Sequence, residues 1–215
     1  MTTSDGWTAA VRDRLAPGRL LPLGTAAEGA WITERAVREV LDVAASAVRG
    51  VVPGRLRIGP GDGPDEPESG GLLITASFGA VAGRELPELT GELRAALLAA
   101  AEDGLGLMVA AVDLRVTDLL DAAPPAPGAG SAPPPGPTSP ATDDPAALAA
   151  LGVAGVAAVT DTLGPPVRRR PDEVRVEVAV TAGARPLDVA RAVRTAVTAV
   201  APEGTAVTVV VSDLR

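Results

Sequence analysis

The chain has 215 residues, with 19 basic against 27 acidic side chains and a formal net charge of −8. Every basic residue is Arg; His, Cys, Lys and Tyr are absent, and the aromatics are Trp7, Trp31 and Phe78. This excludes disulfides, thiolate and imidazole catalysis, Cys or His metal sites, and lysine Schiff bases or phosphate loops. It also leaves little with which to neutralise phosphates or stack bases, so no nucleic-acid partner is expected.

The first 29 residues show weak periodicity and read as a mobile arm. Acidic residues among Arg12, Arg14 and Arg19 argue against a secretory signal. The longest uncharged apolar run, Pro145–Thr160, is 16 residues and contains two glycines, too short for a membrane span. A soluble cytoplasmic protein without a transmembrane segment is expected.

Thr33–Arg49 spaces Val37, Val40, Leu41, Ala44 and Val48 on one helical face, with Thr33 as N-cap and Gly50 as stop. A short strand at Arg55–Ile58 precedes an acidic loop, Gly59–Gly71. Leu73–Val81 alternates as a strand, with Ile74, Ala76, Phe78 and Ala80 on one face. A helix from Leu86 to Ala101 follows, with Pro87 in its first turn and Leu89, Leu93 and Leu97 as its stripe. Leu107–Val116 closes the series as a strand.

Ala122–Pro140 is Pro, Gly, Ala, Ser and one Thr without charge, the composition of a linker. Beyond it the series repeats: a helix at Ala146–Val153, a weak strand near Val156–Thr160, an alternating strand at Glu173–Thr181, a helix at Pro186–Ala199, and a strand through Val207, Val209 and Val211. Ile74, Ala76 and Phe78 align with Val174, Val176 and Val178, and Leu89, Leu93 and Leu97 align with Val189, Val193 and Val197. The endings VTDL (Val116–Leu119) and VSDL (Val211–Leu214) differ by one residue. The pattern implies an α+β fold of two tandem α-β-β-α-β units, each a small mixed sheet with helices on one face. The divisions are an arm at 1–29, a unit at 30–120, a linker at 121–143 and a shortened unit at 144–215.

WITERAVREVLDVAASAVRGV (Trp31–Val51) and GLMVAAVDLRVTDL (Gly106–Leu119) resemble the opening helix and the closing strand of the alkaline shock protein family, the envelope stress response proteins of Gram-positive bacteria. The resemblance covers about residues 28–120, with 144–214 as a degenerate copy. It implies a non-enzymatic role in cell-envelope homeostasis, through self-association or a small membrane-anchored protein partner, and places the chain in the cytoplasm, peripheral to the membrane. The all-Arg, Ala-rich composition points to a GC-rich actinobacterial source.

No catalytic, cofactor or metal residue stands out. Asp62, Asp65, Glu66 and Glu68 lack the spacing of a calcium loop, and Gly59, Gly61 and Gly63 precede no helix. Arg168, Arg169 and Arg170 form the one basic cluster, read either as a solvated loop or as a contact for anionic lipid or an acidic partner. Trp31 and Phe78 are core or interface anchors. Asp118 and Asp213, at equivalent strand ends, suit turn capping better than acid–base work. Two alternatives stay open: a KH-like nucleic-acid module, opposed by the charge and a missing GxxG loop, and a small-ligand binder using carboxylate and Arg groups.

Overall fold

A computed structural model describes residues 18–60, 71–122 and 142–215. The fold is α+β, with both sheets mixed. In chain order its elements are β1 (Leu20–Pro22), a 3-10 turn (Ala26–Glu28), β2 (Ala30–Thr33), α1 (Glu34–Ala47), β3 (Val51–Pro60), β4 (Leu72–Val81), α2 (Leu86–Ala99), a π turn (Ala100–Leu105) and β5 (Val109–Leu120). After residues 123–141 come α3 (Pro145–Leu151), β6 (Val156–Val159), β7 (Val167–Arg170), β8 (Glu173–Val180), α4 (Pro186–Thr198) and β9 (Ala206–Leu214). Most of the expected linker and of the acidic loop lies outside the described residues.

The chain forms two compact units. The contiguous unit runs from Val37 through β5 and holds the sheet β3-β4-β5, with β3 antiparallel and β5 parallel to β4. Ile74, Ala76, Phe78 and Ala80 are buried on one face of β4, as are Leu89, Leu93 and Leu97 of α2 and Val37, Leu41 and Ala45 of α1. On the other face of β4, Thr75 is exposed. The alternation and the helical stripes thus lead to a sheet covered on one side.

The second unit is discontinuous, combining residues up to Ala36 with those after the linker. Its sheet runs β1-β2-β9-β8-β6, with β7 also pairing β8. Residues 18–29 are therefore not an arm. Leu21 and Leu23 are buried, β1 pairs antiparallel with β2, and β2 pairs parallel with β9 (Ala30 opposite Val209, Ile32 opposite Val211). The unit expected to begin at 30 instead gives its first strand to the sheet of the other, and the division falls inside α1, after Ala36. Gly29 (φ +58°) makes the turn into β2, and a Cβ there would lie 3.0 Å from Val207 O.

The two parallel ladders follow one scheme. Ile74, Ala76 and Phe78 face Val112, Leu114 and Val116, then the register skips Thr117 so that Gly79 faces Asp118. Val174, Val176 and Val178 face Val207, Val209 and Val211, then the register skips Ser212 so that Ala179 faces Asp213. Both bulges are held alike: Thr117 Oγ1 donates to Phe78 O (3.3 Å) and Ser212 Oγ to Val178 O (3.4 Å). Both crossovers enter their helix through a left-handed glycine, Gly83 (φ +101°) or Gly183 (φ +85°), then an extended N-cap and a first-turn proline.

Ile32 is fully buried. Ile32→Ala should lower the stability of the discontinuous unit by about 3 kcal/mol. Urea unfolding followed by Trp31 fluorescence in a Trp7→Phe background measures it; a loss under about 0.5 kcal/mol would mean that β2 is not docked on β9.

Candidate functional site

The sequence-derived interaction residues do not converge. Phe78 is 1% exposed, so it anchors its own core and offers no surface. Trp31 keeps 37% of its area exposed on β2, while Ala30 and Ile32 beside it are buried. Arg168, Arg169 and Arg170 are not in a loop: with Val167 they form strand β7, antiparallel to β8, because Glu173–Val180 offers a ladder to pair with. Charged edge residues are a common means of blocking unwanted strand pairing. Arg169 grips Asp144 (Nη2–Oδ1 2.7 Å) and Arg170 lies 3.4 Å from Glu173, so two of the three charges are already paired.

Asp144 is the N-cap of α3 and accepts from Ala146 N–H at 2.8 Å. Burial pushes its carboxyl up, but the Arg169 hydrogen bond and the backbone N–H donors outweigh it, so its pKa lies below the ordinary aspartate value. Arg191 forks onto Glu28 (Nε–Oε2 3.0 Å, Nη2–Oε1 2.6 Å), and Arg194 Nη1 donates to Ala27 O and Glu28 O. The Arg191 hydrogen bond holds the Glu28 carboxyl below its usual range against slight burial, helped by the charges of Arg191 and Arg194.

One polar cluster is fully buried and was not legible in the sequence: Thr33, Thr160, Glu177 and Ser212. Glu177 Oε1 accepts from Thr160 Oγ1 (2.9 Å) and Thr162 N–H (2.9 Å), and Oε2 from Leu163 N–H (3.0 Å). Thr160 and Ser212 hydroxyls are 2.6 Å apart, and Thr33 Oγ1 donates to Ser212 O (3.0 Å). Arg175 Nη2 stands 4.0 Å from Glu177 Oε2. Three donors thus converge on the carboxylate, which holds the loop between β6 and β7 back onto β8. Ser77, its alignment partner on β4, serves the same place in the other sheet: it accepts from Arg55 N–H (2.8 Å), where β3 bulges. The Glu177 carboxylate, taken up by two backbone N–H groups and a hydroxyl, staples its loop to the sheet.

A small cleft opens beside that β3 bulge, lined by Asp42, Ala45, Gly54, Arg55, Ser77 and Leu93, with room for about one water. Burial raises the Asp42 carboxyl, with Arg38 opposing. The cleft is too small for a metabolite. Among the described residues no group of three acidic side chains could hold a metal ion, and no helix is long and apolar enough to cross a membrane. Asp62, Asp65, Glu66 and Glu68 lie outside the described residues. Asp118 and Asp213 hold equivalent positions after the bulges; Asp213 contacts Arg215 (2.8 Å) and Arg35 (3.6 Å), and Asp118 is exposed.

Beside its exposed charged side chains, the contiguous unit also exposes some large apolar ones. Leu119 of β5 is 74% exposed, Val43 of α1 is 72% exposed, and Met108 before β5 is half-exposed. Comparison with protein-family models, with curated proteins and with solved structures finds no match to the chain.

Glu177→Gln would turn an acceptor into a donor facing two backbone N–H groups. It should cost about 2 kcal/mol in urea unfolding, while exposed Glu203→Gln stays within about 0.5 kcal/mol; equal effects would remove the stapling role. The folded-state pKa values of Glu28 and Asp144 lie below their unfolded values. Their stabilisation is therefore complete above the unfolded pKa values, about 4.3 and 3.9, and is lost as pH falls through the folded ones. Glu28→Gln should flatten the fall in Tm between about pH 5 and pH 3; an unchanged slope would show that the Arg191 pair contributes nothing there.

Proposed function

We propose that the chain is a non-enzymatic interaction protein of the alkaline-shock type, acting at the cell envelope by self-association and by docking on a small membrane-anchored protein. The observation that carries this reading is strand β5, which exposes Leu119 (74%) and leaves Leu114 and Val116 half-buried, whereas Leu56, Ile58, Ile74 and Phe78 on the other two strands are buried. Exposed apolar surface of this kind marks a contact site for another macromolecule. The sequence resemblance over Trp31–Val51 and Gly106–Leu119 supports the same class. The cytoplasmic, membrane-peripheral placement belongs to this proposal. A nucleic-acid module is less well supported, since Arg169 and Arg170 are paired to carboxylates.

Crosslinking in the native host followed by membrane fractionation tests it. The expected result is capture of a small membrane protein, with the chain moving to the soluble fraction when that protein is deleted. A chain that stays soluble and uncrosslinked, or that binds RNA with a steep salt dependence, would overturn the reading.

A further inference from the structure

In the discontinuous unit, β9 has neighbours on both sides, and Val209 N–H donates to Gly29 O at the entry of β2. Its counterpart β5 has β4 on one side, and among the described residues no strand pairs with its outer edge. The consequence is visible in burial. Val209 and Val211 are 0% exposed, while Leu114 and Val116, which hold the same ladder positions on β5, are only half-buried. One edge is completed by a strand of the chain, and among the described residues its equivalent is not.

We propose that a second copy of this chain completes it, through antiparallel pairing of β5 with β5 about a two-fold axis at Leu114. The sequence of the strand carries the choice of occupant. Between its two irregularities, at Ala110 and Thr117, β5 reads AVDLRV over Ala111–Val116. With Leu114 opposite its own copy, Val112 faces Val116 and Asp113 faces Arg115, each twice by symmetry. The apolar pairs lie on the side where Val112 is already buried, and the charged pairs lie on the other. Asp113 and Arg115 are exposed and make no ion pair among the described residues. Sliding the register so that Asp113 or Arg115 sits on the axis puts like charges opposite each other. The strand therefore specifies one alignment against its neighbours. The inference deepens the self-association part of the proposed function and rests on it. A ladder this short buries less than a standard interface, so the dimer is weak, with Kd in roughly the micromolar range or above.

Sedimentation equilibrium of the full chain from about 1 µM to about 1 mM tests the pairing. The wild type should show a monomer–dimer equilibrium. Asp113→Arg and Arg115→Asp each place like charges opposite one another twice and should raise Kd roughly tenfold or more, and the double variant should return it to within about threefold of wild type. Both positions are exposed, so thermal unfolding of the single variants should match wild type and separate lost pairing from lost folding. A wild type monomeric throughout the range, or a dimer equally strong in both single variants, overturns the proposal. So does a strictly monomeric chain whose outer β5 amides resist hydrogen exchange, which would assign the edge to a segment of the same chain. If pairing through β5 fails while the membrane partner is still captured, the proposed function stands without this interface.

Discussion

The parallel pairing of β2 with β9 is the constraint on which the discontinuous unit rests. It joins residues 179 positions apart, as the Thr33–Ser212 hydrogen bond shows, so a large loop-closure entropy opposes it. Two kinds of interaction could offset that cost. The fork of Arg191 on Glu28 is about half-exposed on the Arg side, where solvent screens the attraction and little net stabilisation is left. Burial of Leu21, Leu23 and Ile32, at about 2 kcal/mol each, is the larger contribution. Apolar burial therefore supplies the stability. The Arg191 and Arg194 contacts fix where the 3-10 turn sits, because they hold carbonyl and carboxylate oxygens at set distances.

Much of the architecture was legible because period and burial agree. The stripe of Val189, Val193 and Val197 and the alternation of Val174, Val176, Val178 and Val180 both proved buried. The closing strand of the contiguous unit was legible as a strand, but its apolar face is only partly covered: Val112 is buried, while Leu114 and Val116 are not. Periodicity reports which residues share a face, and nothing in it says whether a neighbouring strand will be present.

Other features left no signal. Strands β1 and β2 have 3 and 4 residues, too few to show an alternation, and the partner of β2 lies at the far end of the chain. Strand β7 is nearly all Arg, which hides its strand character in composition. Glu177 occupies a position that alternation assigns to solvent; it is buried because the residues between β6 and β7 fold back over it and present two N–H groups and a hydroxyl. The apolar contact sites inferred from Trp31 and Phe78 rested on residue type alone, and residue type does not separate a core anchor from a surface one.

The splitting of one unit around another also orders events during synthesis. Residues from Val37 through β5 contain everything their own sheet requires, so this unit can fold as it leaves the ribosome. Strand β2, made earlier, has only the three-residue β1 beside it until β9 appears about 180 residues later, a delay of roughly 10–40 s at ordinary elongation rates. Throughout that interval Trp31 and Ile32 are carried by a nascent chain in which β1 is the one strand of their sheet already paired with them. The first hairpin made is thus among the last elements to be placed, and capture of β2 by β9 becomes the step that registers completion of the chain.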